Sequence, residues 1–508
     1  MTTDTKNTAR FISPITLQAA ARYLEFQGQR VLPVGEVSDI IPRSLNYDSR
    51  DCSAGSLFFC KGNSFKAEYL ADAVALGAVA YVSESRQQSE LPGLVVSDVR
   101  QSMALLAALY YADMMKQLKV IGVTGTKGKS TTVYFLKSIL DAHLKSRGLA
   151  DSAILSSIDN YDGVVFEESH LTTKESLDLY EHFANAVASG IGYLSMEVSS
   201  QGLKFHRVTG IDFAVGCFLN FGRDHISAIE HSDSEDYLSS KLKIFAMSDV
   251  ACVNLETAER ERVLDSAQAA GRLVTYGWDS EADIQALSHA DLGAQGLQFS
   301  ARVFDSEESF RLRLAGRFNV DNAMAAIAAA TALDIPMSAI HAGLSDARVP
   351  GRMEPFQTAD GKLILVDYAH NLMSFEALFA AVKASYPKSY IAIIFGCPGY
   401  KALDRRHDLG MVSGREADDV VLTEEDAGKE PVEDICADIA NHVRAAGKEP
   451  RIIYDRREAI FSAIDKAPSD AVILITGKGR ETRQKRGEEY IEVASDVAIV
   501  EEYIRLHS

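Results

Sequence analysis

Short apolar runs separated by polar turns fill the first 115 residues. Ser56 to Cys60, Ala78 to Val82 and Leu94 to Val96 read as strands, and Met103 to Met114 carries apolar positions at helical spacing. Together they predict a small mixed α/β domain. From Leu118 the pattern changes. Lys119 to Gly125 (KVIGVTG) is a compact apolar strand, and Ser130 to Leu144 follows with Val133, Leu136, Leu140 and Leu144 on one helical face. Strand-like runs at Tyr193 to Val198 and Phe213 to Phe218 each give way to loop-like sequence, and an Ala-rich helix covers Asn319 to Leu333. Such alternation predicts a mostly parallel sheet.

A third block begins near Val349. Strand Leu363 to Val366, helix Ser374 to Ala384 and strand Tyr390 to Phe395 lead into strand Val420 to Leu422. Helix Val432 to Ala446, strand Ile452 to Tyr454 and strand Val472 to Thr476 follow, in the rhythm of a doubly wound sheet. No internal repeat, low-complexity tract or long linker interrupts the chain. An α/β protein of three domains, 1–115, 116–348 and 349–508, is expected, because 508 residues exceed what one hydrophobic core organises.

Composition narrows the function classes. A hydrophobic fraction of 47% with 24% charged residues is that of a folded globular chain. The net charge of -19 argues against nucleic acid or an anionic membrane as partner, while leaving room for a locally basic site that holds a phosphorylated substrate. Cys52, Cys60, Cys217, Cys252, Cys397 and Cys436 form no CxxC pair and mostly lie in apolar runs, which reads as buried thiols in a reducing compartment. With no signal-peptide core and no spanning apolar run, the expected location is the cytoplasm.

The sharpest chemical signal is Gly122 to Ser130, GVTGTKGKS, between a strand and a helix. Glycines let backbone N–H groups face a triphosphate, Lys129 can reach the β- and γ-phosphates, and the Ser130 hydroxyl can ligate Mg²⁺. The spacing is not that of a strict Walker loop, and a Gly-rich turn with an incidental lysine would look similar. The strand before and helix after favour nucleotide binding, and the loop by itself says no more.

GVTGTKGKST resembles the phosphate loop of the Mur ligases and of the related folylpolyglutamate synthetases. Seven further motifs occur in the Mur order: MEVSSQGL with HR (Met196 to Arg207), NFGRDH (Asn220 to His225), YLSSKLKIF (Tyr237 to Phe245), GRFNVDNAMAA (Gly316 to Ala326), VPGRME (Val349 to Glu354), DYAHN (Asp367 to Asn371) and GKGRE (Gly477 to Glu481). The chain is similar to the Mur ligase family, and within it to the tripeptide synthetases. The resemblance implies a UDP-binding first domain, a central ATPase domain and a Rossmann-like third domain. It also implies a monomer that uses ATP and Mg²⁺ to join a free amino acid to UDP-N-acetylmuramoyl-L-alanyl-D-glutamate through an acyl phosphate.

Roles carry over residue by residue. Gly125, Thr126, Lys127, Gly128, Lys129, Ser130 and Thr131 would cradle ATP. Ser130, Glu197, His225 and a carbamylated Lys241 would hold magnesium, since hard cations take oxygen ligands and a carbamate turns an ammonium into a carboxylate-like donor. Asn319 and Asn322 match positions near adenine, although Asn at this spacing on a helix also suits capping or packing. Arg352 matches a γ-phosphate contact, for which a guanidinium fork is suited, and Asp367 and His370 match the third domain's nucleotide edge. Ser49 and Arg50 match the uridine side, while Thr172, Thr173, Ser199 and Arg207 match the muramyl-dipeptide end.

The third domain departs from the Asp-Asn-Pro-Arg pattern of the diaminopimelate-adding enzymes. Leu422 to Pro431 (LTEEDAGKEP) has no arginine, and Lys429 is the nearest cation in sequence. Glu424, Glu425 and Asp426 would attract an ε-ammonium and repel a second carboxylate, which favours L-lysine or ornithine over meso-diaminopimelate. A solvated acidic loop would read the same way. Lys127 and the Arg405 to Gly410 run also resemble the lysine-adding branch. Arg406 is expected on the amino acid's α-carboxylate, with Glu425, Asp426, Gly477 and Glu481 lining the same pocket. Gln201 after EVSS, Lys174 after the Thr pair and Gly222 before Arg223 depart from the usual pattern. A folylpolyglutamate synthetase-like ligase and a nucleotide-binding module without catalysis stay open as alternatives; the 115 residues ahead of the loop argue against the first.

Overall fold

The computed structural model describes residues 10–62, 65–169, 171–222, 231–292, 296–401 and 403–507. The chain forms two compact units, one ending at Gln285 and including Met324–Gly343, the other made of Ala286–Ala323 and Leu344–Ser508. The α/β class expected from the strand–helix alternation is the class observed.

The first unit holds two sheets. Five strands order as Val31–Val34, Gly93–Val96, Ala78–Ser83, Ser56–Phe59 and Ser44–Asn46, parallel except for the first pair. In the second sheet Lys119–Thr124 lies between Tyr193–Glu197 and Phe213–Phe218, parallel to both. Ser248–Asn254 and Arg272–Gly277 extend one side in parallel, and Ala153–Leu155 extends the other. Helix Lys129–Lys145 buries Val133, Phe135, Leu136, Ile139, Leu140 and Leu144, so its apolar side closes the core. The carboxyl ends of adjacent parallel strands deliver Gly125, Ser156, Val198 and Leu219, the start of each loop that matters below.

In the second unit a six-stranded sheet runs Glu354–Gln357, Leu363–Asp367, Val472–Thr476, Ile391–Phe395, Asp419–Leu422 and Arg451–Ile452, antiparallel only at the first pair. Chain order reverses across Val472–Thr476, and in open sheets ligands bind beyond the strand ends at such a reversal. Helix Asp404–Glu416 packs on Val432–Ala445 through Gly410 and Gly414. A Cβ on either glycine would come within 2.7 Å of His442 Cβ or Ala446 Cβ. Small residues one turn apart are what let these helices approach.

The predicted helix Met103 to Met114 is two pieces, Val99–Tyr110 and Ala112–Met115. Asp98 caps the first piece by accepting from Gln101 N, which moves its start upstream. All six cysteines are free and buried. Among the described residues no helix is long and apolar enough to cross a membrane.

Candidate functional site

Gly128, at φ 87°, makes the left-handed turn that starts helix Lys129–Lys145 and turns its first N–H groups toward the loop. Lys129 Nζ folds back onto the carbonyls of Gly125 (2.9 Å) and Thr126 (3.4 Å). The loop is clamped from the next strand end by Asn220. Its amide accepts from Lys127 N (2.9 Å) and donates to Lys127 O (3.1 Å), while its carbonyl accepts from Thr126 N (3.0 Å). Ser130 Oγ is 3.1 Å from Ser157 Oγ, and Ser157 donates to Glu197 Oε1 through its N–H (2.7 Å) and its hydroxyl (3.0 Å). Ser130 and Glu197 are thereby held around one point by Ser157. Ser130, Thr131 and Glu197 are all buried.

Lys241, on helix Ser234–Leu242, is 1% exposed. Its Nζ donates to Gly125 O at 2.9 Å and lies 4.6 Å from the Tyr237 ring centroid. Two lysine side chains therefore converge on one carbonyl.

A cavity of about 190 Å³ opens beside this loop, lined by Lys129, Leu171, Thr172, Thr173, Ser199, Ser200, Gln201, Arg207, Tyr237 and Lys241. The lining carries three basic side chains, several hydroxyls and no carboxylate, a composition suited to an anionic ligand. Thr173 is committed internally: its hydroxyl donates to Glu197 O (3.0 Å) and accepts from Ser199 N (2.9 Å). The Ser199 hydroxyl caps the helix Ser200–Lys204 by accepting from Gly202 N. Arg207 Nη1 donates to Thr173 O (3.0 Å), and its Nε lies 3.2 Å from Glu175. Glu175 also receives Lys61 Nζ and Arg100 Nη1, each at 3.1 Å. Burial alone would raise this carboxyl; Lys61, Arg207 and Arg100 outweigh it and hold the group below its ordinary range. Ser49 and Arg50 do not reach the cavity: Ser49 is buried, and Arg50 is pinned to Asp48 on an exposed turn. His225 lies outside the described residues.

In the second unit, Asp367 accepts from Met353 N (2.8 Å) and Ala369 N (2.7 Å), and burial raises its pKa despite Arg352 nearby. Asn371 caps helix Leu372–Ser385 with a reciprocal bond to Ser374, which fixes the DYAHN turn. His370 Nδ1 is 2.8 Å from Tyr368 O. Asn319 donates to Ala315 O (2.7 Å) and Asn322 donates to Asn319 Oδ1 (3.3 Å), so both amides serve the start of helix Phe318–Ala332.

At the other strand ends, the acidic run resolves into three different residues. Glu424 pairs with Arg486 (2.6 Å) and Asp426 with Lys478 (3.0 Å). The Glu425 carboxylate makes no ion pair among the described residues, and a Cβ on Gly477 would lie 2.8 Å from its Oε2. Burial pushes Glu425 up to about 7, with Asp426 adding to the rise against Arg456, Lys478 and Arg405. Lys478 bridges Asp426 and Glu481 (2.8 Å), so Lys429 is not the nearest cation in space. Arg406 is 4% exposed and already paired with Glu430 (2.9 and 2.7 Å) and Asp438 (3.3 Å). Its half-buried neighbour Arg405 is the one within electrostatic reach of Glu425.

The comparisons with known proteins agree with these two halves. The Mur ligase middle domain matches residues 123–330, and the Mur ligase glutamate ligase domain matches 351–479. A relative from Enterococcus faecalis, UDP-N-acetylmuramoyl-L-alanyl-D-glutamate–L-lysine ligase, is 38% identical over 472 residues, covering 91% of each chain. The chain belongs to the Mur ligase family. A UDP-N-acetylmuramyl-tripeptide synthetase of Lactococcus lactis is 39% identical over 87% of this Mur ligase and 88% of that protein. Among solved structures, a UDP-N-acetylmuramoyl-L-alanyl-D-glutamate–2,6-diaminopimelate ligase superposes with a TM-score of 0.69 at 25% identity, covering 97% of this chain and 99% of that one. A Mycobacterium tuberculosis folylpolyglutamate synthase complexed with ADP and AMPPCP shares the fold at 18% identity and a TM-score of 0.60. It covers 92% of its own length but only 74% of this Mur ligase.

Sequence reasoning passed over four residues that build the site. Ser157 is an ordinary loop serine until the fold sets it between Ser130 and Glu197. Asn220 was noticed only as part of a motif. Arg456 and Asp496, 40 positions apart, form a buried pair (2.6 and 2.8 Å) from which Arg456 also donates to Thr476 O (2.7 Å) and Glu424 O (3.2 Å). That pair ties together the strand ends carrying Gly477 and Glu425. For this Mur ligase, Asn220→Ala is expected to raise the KM for ATP about tenfold, with a stability loss of about 1–2 kcal/mol from the vacated loop bonds. Steady-state kinetics and thermal unfolding check both, and an unchanged KM would show that the clamp is dispensable.

Proposed function

We propose that this Mur ligase uses ATP to add L-lysine to UDP-N-acetylmuramoyl-L-alanyl-D-glutamate, as a cytoplasmic monomer with domains at 1–115, 116–348 and 349–508. The observation that carries the reading is the carboxylate-free cavity in which Lys129, Lys241 and Arg207 come together beside the phosphate loop. An acidic sugar-peptide belongs there, and a phosphoryl donor belongs on the adjoining loop.

The chemistry must make a carboxylate electrophilic. A carboxylate oxygen of the dipeptide attacks the γ-phosphorus of ATP, the bond to the β-phosphate oxygen breaks, and ADP leaves. The free amine's lone pair then attacks the acyl carbon, phosphate departs, and the amine's surplus proton passes to solvent. Lys129 neutralises the phosphoryl oxygens as they move, and Arg352 does the same from the second unit. Arg207 and the Thr172 and Ser199 hydroxyls orient the dipeptide. Ser130 and Glu197, oxygen donors held around one point by Ser157, fit a magnesium ion, with His225 and Lys241 as the further expected ligands. Bound there, magnesium would screen the charge of the triphosphate.

Lys241 fits carbamylation. Two ammonium groups sharing one acceptor in a buried place repel each other, and reaction of the Lys241 amine with CO2, releasing a proton, replaces one positive charge by a negative one.

Glu425 carries the preference for lysine. It is buried and unpaired, and a side-chain ammonium would supply the missing counter-charge, whereas a second carboxylate would add to the repulsion. Gly477 keeps the approach to it open, Asp426 and Glu481 flank it through Lys478, and Arg405 takes the α-carboxylate while Arg406 braces the pocket wall through Glu430.

Phosphate release from ATP, measured with UDP-N-acetylmuramoyl-L-alanyl-D-glutamate and one amino acid at a time, tests the assignment. L-Lysine should give the highest kcat/KM. Release with meso-diaminopimelate alone overturns the Glu425 argument. Release only with a folate and glutamate transfers the protein to the rival branch, and nucleotide binding without release supports the non-catalytic module.

A further inference from the structure

Two loops of the second unit, one bearing Arg352 and the other bearing Glu481, are built as a single piece. Gly351 and Gly479 both sit at left-handed φ (64° and 60°) and face each other: a Cβ on Gly479 would lie 3.5 Å from Gly351 O, and one on Gly351 would lie 3.4 Å from Arg480 N. Glu354 fastens the pair by accepting from Gly351 N (2.7 Å) and Arg480 Nε (3.0 Å). Between the loops stands Tyr368. Its ring lies under the Arg352 guanidinium, 4.5 Å from centroid to Cζ, and its hydroxyl donates to Glu481 Oε1. The other Glu481 oxygen, Oε2, is 2.8 Å from Lys478 Nζ.

Resting on the ligase reading above, we infer that Tyr368 is a positioning residue that couples amino-acid binding at Glu481 to release of Arg352 toward the nucleotide. Its two ends touch different substrates' residues: the hydroxyl belongs to the amino-acid pocket and the ring to the phosphate-contacting arginine. An ammonium arriving at Glu481 competes with the Tyr368 hydroxyl for the carboxylate. The ring, no longer anchored at its para position, gives up its hold on Arg352, whose Nη1 otherwise reaches only its own chain at Gly351 O (3.3 Å). Coupling of this kind is reciprocal, so lysine tightens nucleotide binding and nucleotide tightens lysine binding by the same factor.

The test uses the full chain and a grid of initial rates over ATP and lysine at saturating sugar-dipeptide. Tyr368→Phe keeps the ring on Arg352 and removes only the bond to Glu481; Tyr368→Leu removes both. In the parent protein, saturating lysine should lower the KM for ATP about fivefold, in the usual range for coupled sites. In Tyr368→Phe that ratio should collapse to within about twofold of unity, with kcat at saturation of both substrates and the melting temperature nearly unchanged, because the aromatic contact is intact. Tyr368→Leu should lose the ratio and also kcat. A Tyr368→Phe enzyme that retains the parent's ratio overturns the coupling, as does a parent whose KM for ATP ignores lysine. Parent protein that turns over no ATP with any amino acid removes the ligase reading itself, and this inference with it.

Discussion

Lys241→Ala is expected to lower kcat about a thousandfold while leaving the fold intact, the order of loss seen when one preorganised charge is removed from a transition-state site. The side chain is wholly buried and bonded to Gly125 O, where Lys129 also points, so its truncation vacates a slot within the phosphate loop itself. An unmodified ammonium at this place and a carbamate predict different recoveries. If the side chain acts as a carbamate, acetate or formate supplied in the assay enters the vacated slot and restores part of the rate. If it acts as an ammonium, small amines restore the rate and carboxylates do not. Lys129→Ala serves as the contrast, since carboxylates should leave its loss untouched. Full activity in Lys241→Ala would refute both roles at once.

Glu425→Gln should raise the KM for lysine tenfold or more at pH 8 and, at that same pH, make the protein more stable. Both effects have one cause. Burial, with Asp426 beside it, pushes Glu425 from the ordinary 4.5 to about 7. Between those values the folded protein keeps a proton that the unfolded chain has released, so stability falls as pH rises through the window and the deficit is complete above about 7. A shift of this size corresponds to about 3 kcal/mol. Glutamine has the shape without the charge, so the variant's stability should stay flat where the parent's declines. Lysine supplies the missing cation, and the parent's KM for lysine should therefore climb as pH drops below about 7, a dependence the variant lacks. Chemical denaturation at pH 5 and pH 8 and lysine titrations across the same range decide it. Parallel stability curves for parent and variant, or an unchanged KM at pH 8, would sink the assignment.

How far such residues show in the sequence depends on whether their partners are near in the chain. The phosphate loop was legible because strand, glycines, lysine and helix start follow one another, and the structure has them in that order at Lys119–Thr124, Gly125, Gly128 and Lys129–Lys145. Glu197 stood at a strand end by pattern, and it ends the strand Tyr193–Glu197. Its link to Ser130 runs through Ser157, 40 positions upstream of Glu197, and no local pattern marks a serine for that use. The acidic run was legible as composition and misleading as chemistry. Glu424 and Asp426 are neutralised by Arg486 and Lys478, 62 and 52 positions away, which leaves Glu425 as the charge available. Helix Asp404–Glu416 escaped notice because it is mostly polar and holds two glycines, which count against a helix in isolation; here they are the contact surface for Val432–Ala445. Arg406 was given a ligand by motif, whereas Glu430 and Asp438 already occupy its guanidinium.

Salt has unequal authority over this protein. Pairs such as Lys116–Asp113 and Lys66–Glu68 stand in open water and fade as ionic strength rises, since screening acts within about 8 Å at physiological concentration. Lys61, Arg100 and Arg207 meet Glu175 where counterions hardly enter, three positive charges on one negative. The surplus forms a standing positive potential next to the cavity that Arg207 lines. An anion drawn in from a distance loses that guidance in concentrated salt; one that has already arrived keeps its grip.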